Sequence, residues 1–252
     1  MRKFLRLPAA LLILSAITAS AQTTKLKAFG RQVEVVQPRT EIGRLSVDGR
    51  KLHENWILWL DEVALVGGVP VMIGTSGPGG NACEATPFIL SFPEGRAARF
   101  DGPVDTCGVV EYKVEAAQIT FTMAASPLGD GERWTWTPAD GLRNSGKVAF
   151  APDTGKGWAD LRDRGLLHPA DLFANGATAA RLNELVGDQR RALLSTMTGP
   201  GSGRYEGDWY IGESCQAHNC PNADTGSGAM LIVDIAGRRV FVAWRLPGKR
   251  SR

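Results

Sequence analysis

The sequence lacks the long apolar run that a membrane span requires. The apolar stretch Leu7–Ile17 falls well short of the ~20 residues that cross a bilayer. No later segment is both long and uncharged enough to replace it. The sequence therefore predicts no membrane anchor.

The same short stretch has the arrangement of an export signal. Three basic residues, Arg2, Lys3 and Arg6, precede it, and the small residues Ala19-Ser20-Ala21 follow it. This order is typical of a cleavable signal peptide. We expect residues 1–21 to be removed after Ala21 and the mature protein to be periplasmic, with secretion as the alternative.

The mature chain also lacks an excess of charge of either sign. The signal holds three of the 29 Lys and Arg residues, which leaves 26 of them against 26 Asp and Glu. The basic residues that remain in excess locally lie in the tail 249–252. Since nucleic acid binding depends on a basic surface, we expect no nucleic acid partner.

Cysteine is scarce, but the count is even. Cys83, Cys107, Cys215 and Cys220 all follow the expected cleavage site. In an oxidising compartment four cysteines indicate two disulfides, with three connectivities open. We favour the local pairs Cys83–Cys107 and Cys215–Cys220, since each pair lies in one stretch of similar composition.

The hydrophobic pattern predicts an α+β protein with two domains. Residues 22–142 contain short apolar runs broken by Gly, Pro and Asp, which indicates an all-β sandwich or barrel-like domain. Within it, Ile119, Phe121 and Met123 alternate as on one strand face. We expect a linker over 143–165, then a smaller α+β domain over 166–252 with an antiparallel sheet, whose first strand we place at 205–212.

The most specific motif is the six-residue segment Cys215-Gln216-Ala217-His218-Asn219-Cys220. A local disulfide would close it into a rigid loop with the histidine at its tip. The sequence here resembles the Ivy family of bacterial periplasmic inhibitors of vertebrate C-type lysozyme, whose loop reads C-K-P-H-D-C. Cys215, His218 and Cys220 match that motif, whereas Gln216, Ala217 and Asn219 differ from it.

The resemblance covers roughly the last third of the chain and implies a function. In the Ivy family the loop is understood to enter the lysozyme cleft, where the histidine reaches the catalytic carboxylates. An imidazole can hydrogen-bond such a pair from either ring nitrogen. Four acids near the loop would either attract a basic lysozyme or form an ordinary solvated surface: Glu206, Asp208, Glu213 and Asp224.

The first domain has a weaker resemblance. The segments Gly79-Gly80-Asn81-Ala82-Cys83 and Asp105-Thr106-Cys107 resemble a pattern in uncharacterised bacterial exported proteins. That resemblance implies a Cys83–Cys107 disulfide and no known activity.

Other chemistries have less support. Zinc would need a fourth ligand beyond Cys215, His218 and Cys220, so we expect no metal and no cofactor. The segment 74–77, Gly-Thr-Ser-Gly, departs from the G-x-S-x-G nucleophile elbow at Pro78, so we expect a turn there and no enzyme.

Three further residues or pairs receive ordinary structural interpretations. His53 and His168 are expected to be surface or capping residues, not catalytic bases. Trp134 and Trp136 would share a strand face, either as a sugar platform or, more commonly, as a packing stripe.

Taken together, the sequence predicts a non-enzymatic inhibitor of a C-type lysozyme or a related glycan-cleaving enzyme. The alternative is a structural or binding protein of the cell envelope that uses the loop only as a staple. A third interpretation is a periplasmic hydrolase. Both a monomer and a homodimer are compatible with the sequence.

Overall fold

The computed structural model describes residues 22–80, 83–163, 165–216 and 226–246. The chain forms two compact units that divide between residues 108 and 109. In the described residues each unit contains two four-stranded antiparallel sheets, and the helices lie in the second unit. The expected class, a β-rich region followed by a region with helix and sheet, is confirmed.

The first unit consists of two sheets joined by one hydrophobic core. The first sheet has the order β1-β2-β3-β4 and the second β5-β6-β7-β8. Their strands are Gln22–Ala28, Arg31–Gln37, Gly43–Val47, Arg50–Asn55, Ile57–Val66, Val69–Gly77, Thr86–Ser91 and Arg99–Asp101. Val33 and Leu45 from the first sheet pack with Leu58 and Phe88 from the second. This two-sheet core agrees with the expected sandwich.

Tight turns set the register of these hairpins. Asp48 and Gly49 join β3 to β4, and Gly67 and Gly68 join β5 to β6, all with positive φ. Two consecutive positive φ angles are what a type I′ turn requires, and this turn matches the twist of paired strands. The side chain of Asp48 also accepts a hydrogen bond from the backbone N–H of Gln32. This bond links the β3–β4 turn to β2.

The second unit begins with a sheet in the order β12-β11-β10-β9. Its strands are Val110–Val114, Ile119–Met123, Gly131–Thr137 and Gly141–Val148. Ile119 and Phe121 are fully buried, which confirms the predicted strand face. Trp134 and Trp136 are buried as well, so they pack in the interior and do not form a sugar platform.

The helical region follows and packs on the last sheet. The helices are α1, Gly176–Val186, and α2, Arg190–Ser195, with short 3₁₀ helices at Ala159–Asp163, Pro169–Phe173 and Gly187–Gln189. The last sheet has the order β13-β14-β15-β16, with strands Gly201–Glu206, Trp209–Cys215, Gly228–Asp234 and Arg239–Arg245. Leu172 and Leu182 pack against Leu231 and Val233 in its core. No helix in these described ranges has both the length and the apolar character to cross a bilayer.

Three predictions from the sequence, for a linker, a strand and a turn, differ from the structure. Residues 143–148 of the expected linker lie in β12, because the hairpin with β11 continues past its turn at Gly141. The strand expected at 205–212 is two strands, since Gly207 has a positive φ and reverses the chain between β13 and β14. Residues 74–77 lie in β6 and not in a turn. The domain limits at 142 and 166 stay a prediction.

Candidate functional site

The predicted loop is attached to the end of a hairpin whose stem is well defined. Strand β14 ends at Cys215 and β15 begins at Gly228, and these two residues form the last register pair of the hairpin. Beyond them, the Gln216 N–H donates to the Ser227 carbonyl at 3.3 Å, and the Ser227 hydroxyl donates to Gln216 Oε1 at 2.8 Å. The ends of the loop are therefore held together before the loop itself begins.

Segment 199–200, which precedes β13, braces the stem from the other side. The Gly199 N–H donates to the Cys215 carbonyl at 2.9 Å, and the Cys215 N–H donates to the Pro200 carbonyl at 3.3 Å. On the far strand, Arg245 Nε donates to the Gly226 carbonyl at 2.7 Å. We call residues 199–201, 214–216 and 226–228 the loop stem.

His168 connects the loop stem to the helical region. Its Nδ1 accepts the Ala170 N–H at 3.1 Å, as the N-cap of the 3₁₀ helix Pro169–Phe173. Its Nε2 lies 3.1 Å from Ser214 Oγ and 3.2 Å from the Gly199 carbonyl. Since Nδ1 is an acceptor, this hydrogen-bond pattern assigns the ring proton to Nε2, which donates to these oxygens. The expected capping role of His168 is confirmed. The sequence did not predict its contact with Ser214.

Two glycines of β13 are required by close contacts. A Cβ at Gly201 would lie 2.3 Å from His168 Cδ2. A Cβ at Gly203 would lie 2.6 Å from the Tyr210 ring, and the opposite residue Gly212 would clash in the same way. The fully buried Tyr210 ring thus covers a glycine pair, and burial raises the pKa of its hydroxyl. The loop stem rests on this rigid part of the sheet.

The structure describes the predicted loop residues only in part. Cys215 ends β14 and is disulfide-bonded, and Gln216 belongs to the loop stem. Ala217, His218, Asn219 and Cys220 lie outside the described residues, so the Cys215–Cys220 pair and the position of the histidine stay predictions. Among the residues that are described, no group of three or more His, Cys, Asp or Glu side chains is placed to hold a metal ion.

The structure separates two of the four acids from the loop stem, since Glu206 and Asp208 flank Gly207 at the opposite end of the β13–β14 hairpin from Cys215. Glu206 pairs with Arg204 at 3.0 Å, and Asp208 pairs with Arg162. Glu213 is exposed on β14, while Asp224 lies outside the described residues. Surface ion pairs cancel most of the long-range field of their carboxylates. The acids therefore supply less attraction for a basic partner than their number in the sequence indicates.

We expect His168 to be the side chain that couples the loop stem to the helical region. In His168→Ala, Ser214 and Gly199 lose a donor and the 3₁₀ helix loses its cap, which together cost about 2 kcal/mol. Hydrogen exchange of the amides of Gly199 and Cys215 should then become about 30-fold faster. His168→Asn keeps the cap but is too short to reach Ser214, so it should show the exchange increase with a smaller loss of stability. Unchanged exchange in both variants would contradict this role.

A second polar cluster lies in the first unit. His53 Nε2 is 2.8 Å from Ser76 Oγ, and Asn55 Nδ2 is 2.9 Å from the same oxygen. The ring of His53 stacks on Phe100 at a centroid distance of 4.4 Å. Burial lowers the pKa of His53 below its ordinary 6.5, against a smaller opposing effect of Glu54. The sequence offered no local signal for this contact, since 23 residues separate His53 from Ser76.

The lowered pKa of His53 makes the stability of the first unit depend on pH. Below pH 6.5 the unfolded chain takes up a proton that the folded chain resists, so stability should fall as the pH drops from 6.5 through the folded pKa. A single proton limits the slope to about 1.4 kcal/mol per pH unit, and partial exposure reduces it further. Urea unfolding at pH 7.5 and 5.5 measures the effect. His53→Gln should have a shallower pH dependence than the wild type, and an identical dependence would contradict this assignment.

Comparison with known proteins divides the chain at a later point than the two structural units, which meet between residues 108 and 109. The family model described as the Y4bG N-terminal domain matches residues 29–149, and the model described as inhibitor of vertebrate lysozyme (Ivy) matches residues 177–251. The uncharacterised protein y4bG of Sinorhizobium fredii is 38% identical over 244 residues, which cover 97% of this chain and 88% of that protein. No solved structure matches. The chain therefore belongs to the y4bG family, with a Y4bG N-terminal domain followed by an Ivy domain.

Proposed function

We propose that this protein is a periplasmic inhibitor of a C-type lysozyme or a related glycan-cleaving enzyme, and that its Ivy domain inhibits by binding and not by catalysis. The observation that carries the proposal is the Ivy match over 177–251, which includes α1 from its second residue, the whole of the last sheet and the sequence of the loop 215–220. The inhibitory loop in this proposal consists of Cys215, Gln216, Ala217, His218, Asn219 and Cys220.

The loop stem supports this role through rigidity. A loop whose ends are already held by the pairs Cys215–Gly228 and Gln216–Ser227 loses little conformational freedom when it enters a cleft. A disulfide between Cys215 and Cys220 would restrict it further. Because association always costs entropy, a pre-ordered loop retains more of its contact energy as affinity.

The chemistry of the target supports the histidine. A glycosidase cleft presents two Asp or Glu side chains that flank the scissile bond, one of them protonated in the resting enzyme. An imidazole can donate to the ionised carboxylate and accept from the protonated one. In this proposal His218 occupies that position and excludes the substrate.

The alternative is a cell-envelope binding or structural protein in which the loop is a staple. It is favoured by the three loop positions that differ from the Ivy motif, Gln216, Ala217 and Asn219. The Pro that would stiffen the loop and the acid that would orient the histidine are both absent at these positions. Under this alternative only Cys215 and Cys220 matter, through stability.

The deciding experiment is lysis of a peptidoglycan suspension by a C-type lysozyme with and without the purified mature protein. The proposal predicts slower lysis at micromolar protein. Inhibition should be complete once the protein and the lysozyme are present in equal numbers. A bacterial lytic transglycosylase assayed in parallel tests the broader class of glycan-cleaving enzymes. If both enzymes lyse the suspension fully in the presence of the protein, the inhibitor proposal is wrong. The alternative of a cell-envelope protein with a purely structural loop then stands.

A further inference from the structure

Two members of the polar cluster of the first unit, Asn55 and Ser76, line an open cleft, and His53 lies behind Ser76, outside the lining. The cleft has a volume of about 350 Å³, and its lining includes Asn55, Ser76, Thr86 and both cysteines of the Cys83–Cys107 disulfide. Ser76 is only 1% exposed and lies at the floor, near the end of β6. The serine that failed the nucleophile-elbow motif in the sequence therefore has both a histidine beside it and a cleft above it.

The hydrogen bonds of Ser76 allow its hydroxyl hydrogen to point at His53 when the imidazole proton is on Nδ1. Asn55 Oδ1 accepts the backbone N–H of Trp56 at 2.9 Å, so its Nδ2 must face Ser76 and donate to Oγ. With one lone pair of Oγ occupied by this donor, the hydroxyl hydrogen is free to point at His53 Nε2, 2.8 Å away. This is the arrangement of a nucleophile with its general base.

The base is held in place and in the right protonation state. Stacking on Phe100 at 4.4 Å, with 16° between the ring planes, fixes the orientation of His53. The ring of Phe88 also lies near His53, with 6.4 Å between the two ring centroids. Because burial lowers the pKa of His53, the imidazole is neutral at neutral pH and can accept a proton.

The lining of the cleft limits the substrate. The described residues that line it include Glu84 and Asp105, both exposed, and contain no Lys, Arg or His. An anionic substrate would therefore be repelled. Since Ser76 lies deep, only a small acyl group reaches its oxygen. The cleft suits an ester of a short, uncharged acid, such as an acetyl ester of a neutral alcohol.

We propose that the first unit hydrolyses such esters, with Ser76 as nucleophile and His53 as general base. Ser76 Oγ bonds to the acyl carbon while His53 Nε2 takes the hydroxyl proton. The ester C–O bond then breaks, and the alcohol leaves with that proton. A water molecule attacks the acyl carbon, His53 takes its proton and returns it to Oγ, and the carboxylic acid is released. In this proposal the second N–H of Asn55 Nδ2, whose first N–H donates to Ser76 Oγ, stabilises the oxyanion.

The test is covalent labelling of the whole mature protein with a fluorophosphonate probe, with the labelled residue identified by mass spectrometry. We expect labelling at Ser76, at least 100-fold faster than at any other serine, and at least 100-fold slower labelling of Ser76 in His53→Gln. Ser91, a buried serine on the neighbouring strand β7, provides the matched control, and Ser91→Ala should label like the wild type.

Turnover gives the second readout. The wild type should hydrolyse p-nitrophenyl acetate at least tenfold faster than p-nitrophenyl octanoate or the anionic p-nitrophenyl succinate. In Ser76→Ala the hydrolysis of p-nitrophenyl acetate should disappear. Labelling of the wild type does not depend on the folding of any variant. It therefore still tests whether Ser76 is a nucleophile if a variant misfolds. No label on Ser76, or equal labelling in His53→Gln, would overturn the proposal. Neither result bears on lysozyme inhibition, which belongs to the Ivy domain.

Discussion

Replacing His218 with alanine is expected to raise the concentration needed for half-maximal inhibition of a C-type lysozyme about 30-fold or more. In the proposed complex this side chain contacts the paired carboxylates at the centre of the interface. Central anchors of this kind typically cost at least about 2 kcal/mol when truncated. The measurement is the rate of lysis of a peptidoglycan suspension over a dilution series of each variant.

Controls separate contact from stability. The loop is attached through a stem whose hydrogen bonds come from Gln216, Ser227 and Gly199, so His218→Ala should leave the unfolding midpoint unchanged. His53→Gln, a histidine substitution in the other unit, should inhibit like the wild type. If His218→Ala inhibits as well as the wild type while Cys215→Ser with Cys220→Ser does not, the histidine anchor is wrong. Inhibition then depends on the shape of the loop alone.

Removing the disulfide of the first unit is expected to produce the largest loss of stability. Cys83 and Cys107 are bonded to each other and lie 24 residues apart. A crosslink that closes a loop of this length restricts the unfolded chain and stabilises the folded one by about 3 kcal/mol. The double variant Cys83→Ala with Cys107→Ala should therefore unfold at markedly lower urea concentration than the wild type.

The measurement is urea unfolding monitored by tryptophan fluorescence, with and without a reducing agent. Reduction should lower the unfolding midpoint of the wild type towards that of the double variant, and should lower that of the double variant only by the smaller contribution of the Cys215 disulfide. Hydrogen exchange should locate the loss in 57–101 and spare the sheet at 201–245. A double variant as stable as the wild type would show that the strand pairing of β6, β7 and β8 holds this region without the crosslink.

The parts of the fold that the sequence predicted are those with a local cause. Alternation placed Ile119 and Phe121 on one buried face, and similar composition around Cys83 and Cys107 favoured the pair that the structure forms. One prediction failed even though a local signal was present. The prediction of one strand over 205–212 overlooks the pair Gly207-Asp208, which is a typical two-residue hairpin turn, and Gly207 has the positive φ of such a turn.

The candidate sites divide in the same way. The Cys-x-x-His-x-Cys motif is contiguous, so it could be read from residues 215–220 directly. The contacts of His168 with Ser214, 46 residues away, and of His53 with Ser76 could not, because they depend on which strands and helices pack together.

The sequence was enough for the mainly β class, the order of β-rich and helical regions and the loop motif, because each depends on residues close together in the chain. It favoured the local disulfide Cys83–Cys107 among three connectivities, and the structure shows that pair. The tertiary structure alone decided which histidine supports the loop stem and which serine lies at the floor of a cleft. Side chains far apart in sequence meet only when sheet register and helix packing are set, and these are properties of the whole fold.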